Sequence, residues 1–184
     1  MSYFKIGPDS FLSRLKNIRG AYSKSDSEYA QEKIDKYLST SIYEDNALLK
    51  TAVKYLMEVI EAAAPMHDGI CIKITTNSDS PIPGTSQIGK IMNMMNSDDM
   101  LKESSIFKRA FRRYMHNEIC TLVMALSNKT GIPIVESVSR DCGITIRYED
   151  CYIITVWWNE YFCMDSTFAS TQKKALLIKK GLLK

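Results

Sequence analysis

The stretch from Ser105 to Asn159, SIFKRAFRRYMHNEICTLVMALSNKTGIPIVESVSRDCGITIRYEDCYIITVWWN, changes its hydrophobic period partway along, and that change decides the fold class. Over residues 105 to 127, Phe107, Phe111, Tyr114 and Leu122 recur at helical spacing and share a face. Lys108, Arg109, Arg112, Arg113 and His116 fall on the opposite arc, at about 100° per residue. Beyond Ile119 the pattern is apolar all round (Cys120, Leu122, Val123, Met124, Leu126), which predicts that this end of the helix, Cys120 included, lies in the core. Three strand-like runs follow, IPIVESVSR, GITIRYED and CYIITVWWN. Breaks near Gly131, at Asp141 to Gly143 and at Glu149 to Asp150 suit short antiparallel connections.

Working outward, Ser25 and Glu28 have capping-box spacing, and Ala30, Ile34, Tyr37 and Leu38 recur on one face, so a helix is predicted over 25–38 with the preceding residues as an arm. Asp45 to Ala64 is strongly amphipathic: Leu49, Val53, Leu56 and Ile60 oppose Lys50, Lys54, Glu58 and Glu61, and Pro65 and Gly69 end the helix. Residues 69–76, GICIKITT, alternate as a strand, and the turn-rich NSDSPIPG at 77–84 is a sub-boundary within a single domain of residues 1–184. A short helix over 85–96 carries Ile88, Ile91, Met92 and Met95, and a basic helix closes the chain, ending near Lys180. The expected architecture is α+β: a helical N-terminal half packed with an antiparallel sheet of three or four strands and a C-terminal basic helix.

The chain has 184 residues, 45% hydrophobic and 24% charged, which argues against disorder and low complexity. No apolar run approaches the roughly 18 residues of a spanning helix, and the first residues lack a signal-peptide pattern, so no membrane association and an intracellular, cytoplasmic location are expected. Five cysteines without a C-x-x-C pair indicate reduced thiols rather than disulfides or zinc. The net charge of +3 is unevenly spread. Residues 1–104 carry 12 Lys/Arg against 14 Asp/Glu, and residues 105–184 carry 12 against 7, so the second half is the one suited to anionic partners.

Few motifs carry chemistry. GTSQIGK (84–90) has the glycine and lysine spacing of a P-loop, but Ile91 replaces the Ser/Thr that holds Mg²⁺, and the nucleotide reading is set aside in favour of a loop entering a helix. Neither His67 nor His116 has a metal-ligand partner at suitable spacing, so no metal and no cofactor are predicted. A Cys–His pair formed in space has no local signature in its favour. Glu118 falls between Phe107 and Phe111 on the apolar side, where it is either catalytic or satisfied by a Tyr, an Arg or a backbone donor; Glu136 shares that ambiguity. Trp157 and Trp158 must point to opposite faces of a strand, so either helices cover both faces or one tryptophan is free to stack on a base or enter a protein pocket. Met92, Met94, Met95 and Met100 are either gap-filling core or an adaptable contact surface.

Taken together, residues 105–180 read helix, strand, strand, strand, helix. With ALSNKTGIPIVESVSR leading into the first strand and STQKKALLIKK at the last helix, this order resembles a double-stranded-RNA-binding domain. The resemblance implies RNA contacts from the first helix and from Lys173 and Lys174 at the start of the last; SRDCG stands where the family carries Gly-Pro-x-His. The expected function is a non-enzymatic nucleic-acid-binding protein, preferably for RNA, using Lys108, Arg109, Arg112, Arg113, His116, Lys173 and Lys174 on phosphates and Trp157 or Trp158 on a base. The alternative is a protein-interaction module, such as a viral or phage-type host modulator or a small chaperone, that uses the Met and aromatic surfaces.

Overall fold

The computed structural model describes residues 11–74, 81–137, 141–149 and 151–160, apart from the side chains of residues 12 and 21–25. Helices dominate: α1 (Phe11–Tyr37), α2 (Asn46–Ala63), α3 (Thr85–Ser97), α4 (Asp99–Glu103) and α5 (Ser105–Thr130) surround strands β1 (Gly69–Ile74), β2 (Gly143–Tyr148) and β3 (Tyr152–Trp157). The predicted α+β class is found, with an antiparallel sheet of three strands. The predicted C-terminal helix, with Lys173 and Lys174, lies outside the described residues.

Caps set the helix boundaries. Asp45 accepts from the N–H of Ala47 at 2.8 Å and starts α2; Asp98 accepts from Met100 and Leu101 at 3.1 and 3.2 Å and starts α4. The Ser104 hydroxyl accepts from Phe107 N–H at 3.2 Å at the head of α5. At the far end Gly131, at φ +74°, takes the left-handed conformation that closes a helix, its N–H donating to Ser127 O at 2.8 Å. One of these joints also ties elements together. The Tyr29 hydroxyl donates to Asp98, which with the two backbone donors holds that carboxyl below its ordinary range.

Two helical features depart from expectation. α1 begins at Phe11 and runs through Ser25 without a break, so the expected arm is helical from Phe11 onward and the helix does not start at Ser25. Arg14, Leu15, Lys16 and Arg19 are good helix formers, and Gly20 alone costs only about 1 kcal/mol. α4 was not expected; Asp98 both ends α3 and caps a further turn.

The sheet order is β1-β3-β2, and β1 pairs antiparallel with β3 in the register Ile70↔Val156, Ile72↔Ile154 and Ile74↔Tyr152. β2 and β3 form a hairpin in which Tyr148 faces Tyr152 and Gly143 faces Trp157. The expected strand over 132–140 is absent from its described part: Ile134 makes one parallel bridge with Ile144, flanked by Ile144 N–H to Pro133 O at 2.8 Å and Val135 N–H to Ile144 O at 2.9 Å. The third strand of the sheet is instead β1, so the described part of 105–160 reads helix, bridge, strand, strand. Pro133 cannot donate to a ladder, and β3 already occupies the other edge of β2.

One face of the sheet, formed by Ile70, Ile72, Ile74, Ile144, Tyr152, Ile154 and Val156, joins the core cluster with Leu56, Phe107, Ile119 and Leu122 of α2 and α5. The other face is also buried at its centre, where Cys71, Ile153, Thr155 and Trp157 are covered and Cys71 Sγ lies 2.8 Å from Thr155 Oγ1. The far half of α5 is less enclosed than its composition predicted, since Cys120 is only half-buried and Met124 is exposed. Ile119, Leu122, Val123 and Leu126 are buried there, and Ala125 packs against the core beside them.

Gly84, at φ +92°, opens α3 against the 3-10 turn Ile42–Glu44, where a Cβ would sit 3.0 Å from both Ile42 Cγ2 and Tyr43 Cε1. The Tyr43 hydroxyl donates to Pro83 O at 2.9 Å. This loop is packed by hydrophobic contact and leaves Lys90 on the surface. Lys90→Ala is accordingly expected to change stability by less than about 0.5 kcal/mol, and ATP should give no thermal protection to either form. ATP-dependent protection lost in the variant would reverse that assignment.

Candidate nucleic-acid interface

α5 is core on one side and cationic on the other, as its spacing predicts. Phe107, Phe111, Tyr114, Met115, Glu118 and Ile119 are buried, whereas Lys108, Arg109, Arg112, Arg113 and His116 are all exposed. Lys108, Arg112 and His116 follow one another at four-residue intervals, so their Cα atoms climb one side of the helix in steps of about 6 Å, with Arg109 and Arg113 on the adjoining row. Acids of the N-terminal half could have neutralised this surface. Among the described residues, none of the four Lys/Arg side chains is within ion-pair distance of a carboxylate, whereas Arg147 pairs with Glu149 at 3.1 Å.

Beside the Lys108–Arg112 row lies a cavity of about 270 Å³. Its floor and walls come from Ile74 at the end of β1, Met92 and Met95 of α3, and Phe111 and Met115 of α5. The hairpin closes it with Tyr148, Cys151 and Tyr152, and Lys108 and Arg112 complete the lining. Tyr152 is the joint between sheet and helix: its hydroxyl donates to Arg112 O at 3.4 Å, and its ring lies 4.9 Å from that of Tyr148 and 6.1 Å from that of His116. Burial, then the neighbouring Tyr148, pushes the Tyr152 hydroxyl above its ordinary value, so it stays neutral near pH 7.

Methionines and basic residues that the sequence offered to two rival readings, Met92 and Met95 with Lys108 and Arg112, thus share one pocket. The Met cluster divides: Met92, Met94 and Met95 are half-buried against the core, and Met100 is exposed. Tyr148, Tyr152 and Cys151 were not singled out with α5, because only the hairpin register and the β1–β3 pairing bring them to it. A signal existed in the two tyrosines flanking a three-residue connection, which a hairpin must set opposite one another.

The tryptophans fall elsewhere. Trp157 has no exposed surface and packs against Gly143 and Val135, so it is not available to stack on a base. Trp158 is partly exposed; its backbone N–H donates to Asp68 O at 3.0 Å, and it lies six residues, about 20 Å, along the chain from Tyr152. Neither shares the α5 pocket.

A thiol and an imidazole do meet on α5. Cys120 Sγ lies 3.4 Å from His116 Nε2, one helical turn away. Burial pushes the Cys120 thiol up, opposite to the lowered value of an activated nucleophile. Glu136 is exposed, and Glu118 is tied to backbone donors, so neither acid faces the cavity. Among the described residues no group of three His, Cys, Asp or Glu is placed to hold a metal, and no helix is long and apolar enough to cross a membrane. No protein-family model matches the chain, and no curated protein or solved structure is significantly similar to it.

Proposed function

We propose that this chain is a non-enzymatic nucleic-acid-binding protein, with a preference for RNA, whose contact element is the outer face of α5. The observation that carries the reading is the set of four exposed cations, Lys108, Arg109, Arg112 and Arg113, that no described carboxylate neutralises. A helix whose opposite face is locked into the core presents them rigidly, which suits phosphate contacts. Lys173 and Lys174 extend the same reading.

Arg109→Ala/Arg113→Ala tests it. Both residues are exposed, so stability should change by less than about 0.5 kcal/mol per site, while affinity falls for every nucleic-acid sequence. The slope of log K against log salt should drop by about one unit per lost contact. A variant that binds as the wild type does would remove Arg109 and Arg113 from the interface.

A protein-interaction module is the second reading, favoured by a different surface. Phe11, Leu15 and Ile18 recur along the first turns of α1 and are exposed, and Leu15 and Ile18 share a groove with the exposed Ile106 of α5. A wild-type protein that binds no nucleic acid even at low salt would leave this reading in place of the first.

A further inference from the structure

We propose that the cavity beside α5 receives one unstacked nucleobase, with the attached phosphate on Lys108 and Arg112, and that the protein therefore selects single strands over duplex. This rests on the nucleic-acid reading and adds to it the form of the ligand.

Three properties of the cavity point to a base. It holds about 270 Å³, and a cavity of about 150 Å³ already accommodates a benzene ring, so a mono- or bicyclic base fits. Its lining is chiefly aromatic rings and thioethers, Phe111, Tyr148 and Tyr152 with Met92, Met95 and Met115, which are favourable partners for the face and edge of a planar ring. Tyr148 is 55% exposed at the rim, where it can stack on an entering ring without leaving the hairpin.

The charges at the cavity select what the ring must carry. Among the described residues Lys108 and Arg112 line it and no carboxylate does, so an apolar group joined to an anion is matched better than an aliphatic or cationic side chain. The same row continues to His116, giving a strand a direction along the helix. A paired and stacked base is shut inside its duplex and cannot enter; a single strand can present one.

The shared chemistry is a nucleobase bearing a phosphate, which either a strand or a free nucleotide supplies. The test measures binding of a short single-stranded RNA, the same RNA annealed to its complement, and a nucleoside monophosphate to the full chain and to Tyr148→Ala. The inference expects tighter binding of the single strand and a roughly tenfold loss of that affinity in Tyr148→Ala with duplex affinity unchanged. It also expects the single strand, but not the duplex, to protect Cys151 of the wild type from alkylation by iodoacetamide, a readout independent of how the variant folds. Protection by the monophosphate at concentrations close to those of the strand would assign the pocket to free nucleotide. Protection only at far higher concentrations would assign it to the strand. Equal affinity for single strand and duplex, with Cys151 unprotected by either, would overturn the pocket inference and leave the α5 reading standing. Absence of binding by every probe at low salt would overturn the reading on which it rests.

Discussion

Replacing Glu118 with leucine is expected to destabilise the fold by about 3 to 5 kcal/mol, although the position faces the core. One carboxylate oxygen of Glu118 accepts from Ile42 N–H at 3.0 Å, Tyr43 N–H at 3.2 Å and the Ser41 hydroxyl at 3.1 Å. These donors belong to the 3-10 turn between α1 and α2, and Glu118 is only 2% exposed, so no water can take over the two backbone N–H groups once the carboxylate is gone. Tyr43 and Tyr114 flank it as neutral phenols, pushed upward first by burial and then by the Glu118 charge, Tyr114 to about 12. The carboxylate therefore fastens the α1–α2 connection onto α5. Glu118→Gln keeps an acceptor oxygen and should lose clearly less. Urea unfolding midpoints at a constant m value check both; a leucine variant as stable as the wild type would show that the turn is held by its hydrophobic contacts alone.

The second large effect is expected at Gly143, for the opposite reason: there is no room. A Cβ at this position would lie 2.6 Å from Trp157 Cζ2, 2.7 Å from Trp157 Cη2 and 2.7 Å from Val135 Cγ2. Gly143 faces Trp157 across the hairpin, and the indole has no exposed surface into which it can move. Gly143→Ala should cost on the order of 1 to 3 kcal/mol and Gly143→Val more, since overpacking forces either the indole off its rotamer or the 132–137 segment off the sheet. Thermal unfolding and the near-ultraviolet circular dichroism of the tryptophans report the two consequences together. An alanine variant with an unchanged melting temperature and spectrum would refute this packing.

These two positions also mark how far the sequence could be read. Glu118 was conspicuous because helical spacing sets a carboxylate between two phenylalanines, and a backbone partner was one of the outcomes expected. Its actual donors lie more than 70 residues earlier, a separation that periodicity does not address. Gly143 read only as a turn signal; its role against Trp157 depends on register. The long amphipathic run of α2 was legible to within a residue at each end, and α5 at its start, whereas α5 runs on to Thr130, three residues past its expected end. The 132–140 segment misled because IPIVESV has strand composition, whereas whether a strand forms depends on which edge of the sheet is free. For the site, the basic arc was legible from spacing alone. Its pocket was not, because one wall is β1 and another is α3, and only the β1–β3 ladder and the packing of α3 bring them to α5.

The central claim, that the outer face of α5 binds nucleic-acid phosphates, is tested most directly by titrating the wild-type protein with single-stranded RNA over a range of salt concentrations. If Lys108, Arg109, Arg112 and Arg113 each neutralise one phosphate, log K should fall with log salt at a slope of about −3, from roughly −0.7 per contact on a single strand. Tight binding at low salt with that slope is the predicted result; no binding at low salt, or binding indifferent to salt, would contradict it.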